Sequence, residues 1–194
     1  LSQMKRDMMA EVAATLAFST IANNDKVGVI FFSDKVEKFI PAKKGKTHVL
    51  HIIRELLSFE PSSTGTDIAQ ALQYFSNAQK RHCTAFLISD FIGAGAMYKP
   101  LLIASNRHEV NAIQIYDRRE AELPNVGLVK FHDTETGNDL WIDTAITSVR
   151  NDYAQAWRRN QDEIQQLFTR TGVGHVSVRT DEDYVKALMH LFRC

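Results

Sequence analysis

Apolar positions along the chain change between the spacing of helices and the spacing of strands. Over residues 4–22 they fall on one helix face, at Met4, Met8, Val12, Leu16 and Ile21. The same spacing predicts five further helices. They cover residues 47–59, 67–80, 98–108, 148–170 and 181–192, and Pro100 suits the first turn of the helix that begins near it.

Polar residues at the predicted helix starts indicate how those helices are capped. Thr47 is a plausible N-cap, and Asp67 could cap its helix or favour the positive end of the helix dipole. Thr180, with Asp183 three residues on, forms an approximate capping box for the last helix. Each cap supplies an oxygen for backbone N–H groups that have no partner within the helix.

Continuous apolar runs predict strands that are buried on both faces. "KVGVIFF" at 26–32 and "CTAFLIS" at 83–89 are such runs, and 110–117 and 174–180 are further strands. Residues 35–41 alternate as a neighbouring antiparallel strand would. Because strands alternate with helices, the pattern predicts an α/β fold with a mostly parallel sheet covered on both faces, within a single domain over residues 1–194.

Residues 127–144 are typical of a β-hairpin added to this sheet. "GLVKFHD" and "DLWIDT" are joined around "TETGN", which places Gly137 in the turn. We expect Trp141 to pack the hairpin onto the sheet and Trp157 to do the same for the long helix.

Composition narrows the class of protein. The chain has 194 residues, 44% of them hydrophobic, and its 23 basic and 23 acidic residues give a formal net charge of zero. No overall field therefore draws it to nucleic acid or to an anionic membrane. No apolar run approaches the ~18 to 20 residues of a membrane span. Two cysteines, Cys83 and Cys194, suit a reducing compartment, so the cytoplasm is the predicted location.

Candidate chemistry collects where predicted strands end. Asp90 leaves the buried strand "AFLIS", and Thr66 ends "SSTGT" just before a helix. Ligands of parallel sheets bind at the carboxyl ends of strands, and carboxylate and hydroxyl oxygens suit Mg²⁺. The alternative is structural: Thr66 and Asp67 start a helix, and Asp90 accepts hydrogen bonds from loop amides.

"DRREAELP" at 117–124 follows a strand at the same predicted edge. Asp117, Arg118 and Arg119 make it dense in charge for a short connection. Together with Asp67 they could form a rim on which a partner docks. The alternative is an exposed loop with internal ion pairs of little energetic value.

The serial order of several motifs resembles a known family. "DKVGVIFFSDKVEKFIPAKKGKTHVLHIIREL", "TGTDIAQAL" and "FLISDF", followed by "YDRREAELPNVGLVKFHDTETGNDLWIDT" and "RTDEDYVKALMHLF", look like a von Willebrand factor A-type domain. More narrowly, they resemble the bacterial domain-of-unknown-function family fifty-eight. This resemblance implies a Rossmann-like sheet with a metal-ion-dependent adhesion site at its carboxyl edge. Thr66 and Asp90 match the second and third elements of that site.

The first element of the family's metal site, Asp-x-Ser-x-Ser, does not occur in this sequence. In the family it precedes the helix with which this chain opens, so we expect a fragment that lacks the first central strand and the main metal loop. Mg²⁺ is then possible in the intact protein, whereas this fragment is expected to bind it weakly or not at all. The strands at 26–32 and 83–89 would either pair directly or receive the missing strand from a second chain, as in a dimer.

Two functions follow as hypotheses. The resemblance implies a non-enzymatic interaction module, an adaptor that works with a MoxR-type AAA+ ATPase. The alternative is a metal-dependent phosphoester hydrolase that uses Asp90, Asp67 and Asp117 around a divalent ion. The neutral charge balance argues against a nucleic-acid substrate for such an enzyme.

Overall fold

The helices and strands follow the periodicity of the sequence. A computed structural model describes residues 2–63, 65–92, 94–132 and 139–191. The helices are α1 (Ser2–Asn23), α2 (Lys46–Ser58), α3 (Ile68–Ala78), α4 (Tyr98–Ser105), α5 (Arg118–Ala121), α6 (Thr147–Thr171) and α7 (Tyr184–Leu191). The strands are β1 (Val27–Phe32), β2 (Val36–Lys43), β3 (Thr84–Ser89), β4 (Glu109–Tyr116), β5 (Leu128–His132), β6 (Asp139–Asp143) and β7 (Gly174–Arg179).

Two predicted caps are wrong. Helix α2 begins after Gly45, whose φ of 104° favours glycine, so Thr47 lies inside the helix. Helix α7 begins at Tyr184, and the Thr180 hydroxyl donates to Asp117 at 3.0 Å instead of capping it. The predicted cap at Asp67 is confirmed, since its carboxylate accepts a hydrogen bond from the Gln70 N–H. Short helix α5 is an addition to the prediction, and Gly137 and Cys194 lie outside the described residues.

Strands β3, β4 and β7 form a parallel sheet in that order. Ser89 pairs with Gln114, and Tyr116 pairs with Arg179, so the three strands end at one edge. Helices flank the sheet on both faces, as the strand–helix alternation predicts. The fold is therefore α/β and Rossmann-like, with antiparallel hairpins in addition.

Alternate residues of β4 face two different cores. Ile113 and Ile115 pack with Val12 of α1 and Leu188 of α7 on one face of the sheet. On the other face the core is made by residues of α3, α4 and α6 with β3 and β4: Ile68, Leu72, Leu87, Leu101, Val110, Ala112, Ile164 and Phe168. This alternation is the period-two pattern of a strand covered on both sides.

Strands β1 and β2 form a separate antiparallel pair with its own core. Ala17 of α1 and Ile52 of α2 are buried against Phe31 and Ile40. The predicted direct pairing of β1 with β3 is wrong, because within the described chain β1 pairs with β2 and β3 pairs with β4. The two sheets are joined by side chains of α1, which contribute to both cores. Donation of a strand by a second chain stays a prediction.

Strands β5 and β6 form the predicted hairpin. It is a two-stranded antiparallel unit in which Lys130 faces Trp141. Trp141 does not pack it onto the sheet, because 61% of this residue is exposed. The packing predicted for Trp157 is confirmed: its ring lies 5.3 Å from that of Tyr116 at the end of β4. Among the helices described, none has the length and apolar character needed to cross a membrane.

Candidate functional site

The ends of three parallel strands bring polar residues together. Asp90 follows β3, Asp117 follows β4 and Thr180 follows β7. Thr180 bonds to Asp117 through its side chain and to the Tyr116 carbonyl through its N–H, at 3.0 Å in both cases. The register of the sheet thus places the predicted residues of strands β3 and β4 at a common edge.

Lys5 joins two carboxylates at this edge. Helix α1 brings its ammonium to 2.9 Å from Asp90 and 2.5 Å from Glu120. Only 14% of the Lys5 side chain is exposed, against 27% for Asp90 and 22% for Glu120. We call these three residues the edge cluster. Its two carboxylates and one ammonium leave a net negative charge.

Burial and ion pairing act in opposite directions on Lys5. Burial alone lowers the pKa of this ammonium, because it removes the charged form from water. The hydrogen bonds and charges of Glu120 and Asp90 outweigh burial, so the pKa of Lys5 is raised above 10.5. Lys5 is therefore charged throughout the physiological range, as a permanent counter-ion within the cluster.

The backbone at Asp90 is held in place from both sides. The Gln114 side chain, which is buried, donates to the Asp90 carbonyl at 3.1 Å and accepts from Ser177 at 2.8 Å. Phe91 is fully buried with a φ of 55°, a left-handed conformation that aromatic residues rarely adopt. Its ring packs edge-on against Phe168 at 5.2 Å. Packing thus maintains a strained residue directly beside Asp90.

Asp117 has a structural role in this arrangement. It is buried and caps α5: its carboxylate accepts from the Arg119 N–H at 2.8 Å and from the Thr180 hydroxyl. Glu120 completes a capping box by accepting from the Asp117 N–H at 3.1 Å. The same carboxyl group also binds Lys5, so the start of α5 and the edge cluster share one side chain.

The two arginines of the predicted rim are on the surface of α5. Arg118 forms an ion pair with Glu122 at 3.5 Å, in which both side chains are about two-thirds exposed. Arg119 is also exposed, and its carbonyl accepts a hydrogen bond from the Tyr153 hydroxyl at 3.2 Å. Both guanidinium groups remain accessible beside the edge cluster.

Thr66 and Asp67 lie at the start of α3. Asp67 is used by the helix, and its N–H donates to the Ser33 carbonyl at 2.8 Å. Thr66 is exposed one residue earlier. Lys5, rather than Thr66, is the side chain bound to the Asp90 carboxylate. The described residues contain no group of three or more metal-ligating side chains, and the metal site stays a prediction.

Sequence reasoning missed two members of the edge cluster. Glu120 had a local signal, because its spacing from Asp117 is that of a capping box. Lys5 had none: its carboxylate partners lie 85 and 115 residues further along the chain. The charge of Asp90 is thus balanced by an α1 residue that no local pattern indicates.

Comparison with known proteins places the chain among uncharacterized bacterial proteins. A family model described as "Protein of unknown function DUF58" matches residues 1–163. The uncharacterized protein Mb1516 of Mycobacterium bovis is 30% identical over 185 residues, which cover 93% of this chain. The chain spans 57% of the length of that relative. The uncharacterized protein MAV169 of Mycobacterium avium is 28% identical over 158 residues, covering 79% of this chain and 92% of that protein.

Two solved structures resemble the fold. One is the conserved hypothetical protein BatB from Bacteroides thetaiotaomicron, with a TM-score of 0.51. The other is an aerotolerance-related membrane protein from Bacteroides fragilis with multiple mutations to serines, with a TM-score of 0.52. In each case the match has 17% sequence identity and covers 95% of this chain and 89% of the other. At this identity the likeness concerns the fold alone.

Proposed function

This chain belongs to the DUF58 family of proteins of unknown function, and from that premise we propose that it is a non-enzymatic protein-interaction module of the von Willebrand factor A type. The observation that carries the proposal is the edge cluster. A carboxylate at the end of a parallel strand lies beside the exposed arginines of α5, on a backbone fixed by buried side chains. Such an edge is where open parallel sheets bind their ligands.

We propose an adaptor role in which a MoxR-type AAA+ ATPase docks at this edge. The exposed guanidinium groups of Arg118 and Arg119 suit carboxylates of a partner, since arginine binds them through two parallel hydrogen bonds. The edge cluster adds local negative charge that orients basic groups of the same partner. Docking in a reducing cytoplasm is part of this proposal.

We propose that Mg²⁺ binds weakly or not at all at Thr66 and Asp90 of this chain. The structure adds a physical reason, because the Lys5 ammonium competes with any cation for the Asp90 carboxylate. Calorimetric titration with Mg²⁺ and Mn²⁺ checks this. A site of micromolar affinity that disappears in Asp90→Ala would contradict it.

The experiment for the adaptor role measures binding to a purified MoxR-type AAA+ ATPase from the same genome. Asp90→Ala and the double variant Arg118→Ala, Arg119→Ala are expected to weaken binding at least tenfold. Asp162→Ala, an exposed carboxylate on α6, is the matched control and should bind as the unmodified chain does. Circular dichroism confirms that each variant is folded. If every variant binds equally well, the edge is not the docking site.

An assay of phosphodiester and phosphomonoester turnover in Mn²⁺ separates the adaptor from the hydrolase hypothesis. The hydrolase needs Asp90, Asp67 and Asp117 around one ion. In the structure, Asp67 and Asp117 each accept hydrogen bonds from the first turn of a helix. Turnover that is abolished by Asp90→Ala would favour the hydrolase.

A further inference from the structure

The hairpin of β5 and β6 exposes large apolar side chains. Leu128, Leu140 and Trp141 are each more than 60% exposed. The two strands are hydrogen-bonded only to each other in the part of the chain that the structure describes. A two-stranded hairpin of this kind is marginally stable in water, and exposed apolar patches mark interaction sites. The exposed apolar side chains of this hairpin are therefore a candidate surface for binding a partner.

The base of the hairpin is firmly held. Thr144 is fully buried; its hydroxyl accepts from the Val126 N–H at 3.0 Å and donates to the Gly127 carbonyl at 2.7 Å. Arg150 of α6 donates to the carbonyls of Thr144 and Ala145 at 2.5 and 2.9 Å. The chain thus anchors the hairpin at its base while it leaves the strands themselves accessible. This preorganisation lowers the entropic cost of binding.

The outer edge of β6 carries a specific pattern. Its sequence, Asp139 to Asp143, has a carboxylate at each end and Leu140, Trp141 and Ile142 between them. Because side chains alternate along a strand, Asp139, Trp141 and Asp143 share one face. Lys130 of β5 forms an ion pair with Asp139 at 2.6 Å, so these charged groups retain a net charge of −1.

The charges on β6 indicate which kind of partner can bind along its outer edge. In a second copy paired antiparallel about Trp141, Asp139 would lie directly opposite Asp143, which is destabilising. From Leu123 to Ile146 the described residues hold two carboxylates, Asp139 and Asp143, and one ammonium, Lys130. This excess of negative charge opposes an anionic membrane surface. It complements a strand whose ends are basic.

We propose that the outer edge of β6 binds an extended segment of a partner protein with apolar residues in the middle and Lys or Arg on both sides. Backbone hydrogen bonds would add this segment to the hairpin as a third strand. Its basic residues would face Asp139 and Asp143, and its central residue would cover Trp141. The inference concerns a different surface from the edge cluster, so each proposal can fail without the other.

The test uses the labelled heptapeptide SKVYVKS, which places lysines opposite both aspartates and tyrosine opposite Trp141. Fluorescence anisotropy is expected to show saturable binding to the whole chain that weakens with added salt. Trp141→Ser should weaken it at least about tenfold, equivalent to ~1.4 kcal/mol. Asp143→Asn, which keeps the oxygen that accepts from the Ala145 N–H, should weaken it by a smaller factor. Leu57→Ser, which replaces an exposed leucine of α2, is the matched control and should bind normally.

Two control peptides make the result decisive. SEVYVES reverses the charges, and SKVPVKS removes the central N–H that a strand must donate; neither is expected to bind. The proposal is overturned if SKVYVKS does not bind, if SEVYVES binds equally, or if Trp141→Ser has no effect. It is also overturned if the chain sediments with phosphatidylglycerol vesicles and Trp141→Ser abolishes this. The same holds if the chain self-associates in analytical ultracentrifugation and Trp141→Ser abolishes the self-association. Those outcomes assign the edge to lipid or to a second copy.

Discussion

Lys5 is the single residue on which the edge cluster depends. Lys5→Met keeps the aliphatic length but leaves Asp90 and Glu120 without their shared cation, both largely buried. Breaking a fully buried ion pair from one side costs about 3–5 kcal/mol. Because the two carboxylates are still 27% and 22% exposed, we expect a smaller loss of about 2 kcal/mol in the free energy of unfolding. Urea denaturation measures it. Lys38→Met, which removes a more exposed ion pair with Glu55, should cost less than about 1 kcal/mol.

The cluster's stabilisation has a defined range of pH. Because the folded pKa of Lys5 is raised above its ordinary 10.5, the contribution is fully present below that pH. It is lost as the pH rises through the folded pKa. The difference in stability between the unmodified chain and Lys5→Met should therefore be constant from neutral pH to about pH 9 and shrink above 10.5.

His108 gives the opposite dependence in acid. Its pKa is lowered from 6.5, first by burial and then by the charges of Arg107 and His82. The stability associated with its neutral form is present above pH 6.5 and is lost as the pH falls through the folded pKa. His108→Phe retains a ring beside Phe75. In this variant we expect the free energy of unfolding to fall less steeply as the pH drops below 6.5, by at most ~1.4 kcal/mol per pH unit. The control is His51→Phe, on the exposed face of α2. If the stability of His108→Phe falls with acid as steeply as that of the unmodified chain, His108 is not the group responsible.

At the scale of elements, the Thr144 hydroxyl is one of the groups that anchor the base of the hairpin. Thr144→Val keeps the shape of this fully buried residue but removes both hydrogen bonds of its side chain. The Val126 N–H and the Gly127 carbonyl each lose that partner. We expect a loss of about 1–3 kcal/mol and faster amide exchange across β5 and β6. Thr84→Val, at an exposed hydroxyl that donates to Glu109, should change little; equal effects in both variants would contradict the assigned role of Thr144.

The elements also show what sequence patterns can predict. Strand β3 and the position of Asp90 after it were predictable, because a continuous apolar run with a polar end is a local signal. The start of α7 was not, since Thr180 donates to a carboxylate 63 residues away. Local sequence patterns could not reveal Lys5 as a member of the edge cluster either, because its carboxylate partners are also distant along the chain. Trp141 was wrongly placed because hydrophobicity alone does not distinguish a core residue from an exposed one.

At the scale of the whole molecule, α1 unites two sheets that share no hydrogen bonds in the described chain. Its Val12 is buried against the parallel sheet and its Ala17 against β1 and β2. We expect Val12→Ala to cost about 2 kcal/mol and the molecule still to unfold in one calorimetric transition. Two separate transitions, one for each sheet, would show that α1 does not couple them.

Helix α1 also determines how the molecule would respond to mechanical force. Lys5 lies in the first turns of this helix, and the residues that anchor it to the two cores follow along its length. Tension applied at its first turn would load the ammonium and its carboxylates before it reached either core. The ion pairs of Lys5 would then break before the apolar contacts of the two cores. Salt concentration and pH would therefore change the force at which α1 begins to separate from the rest of the molecule.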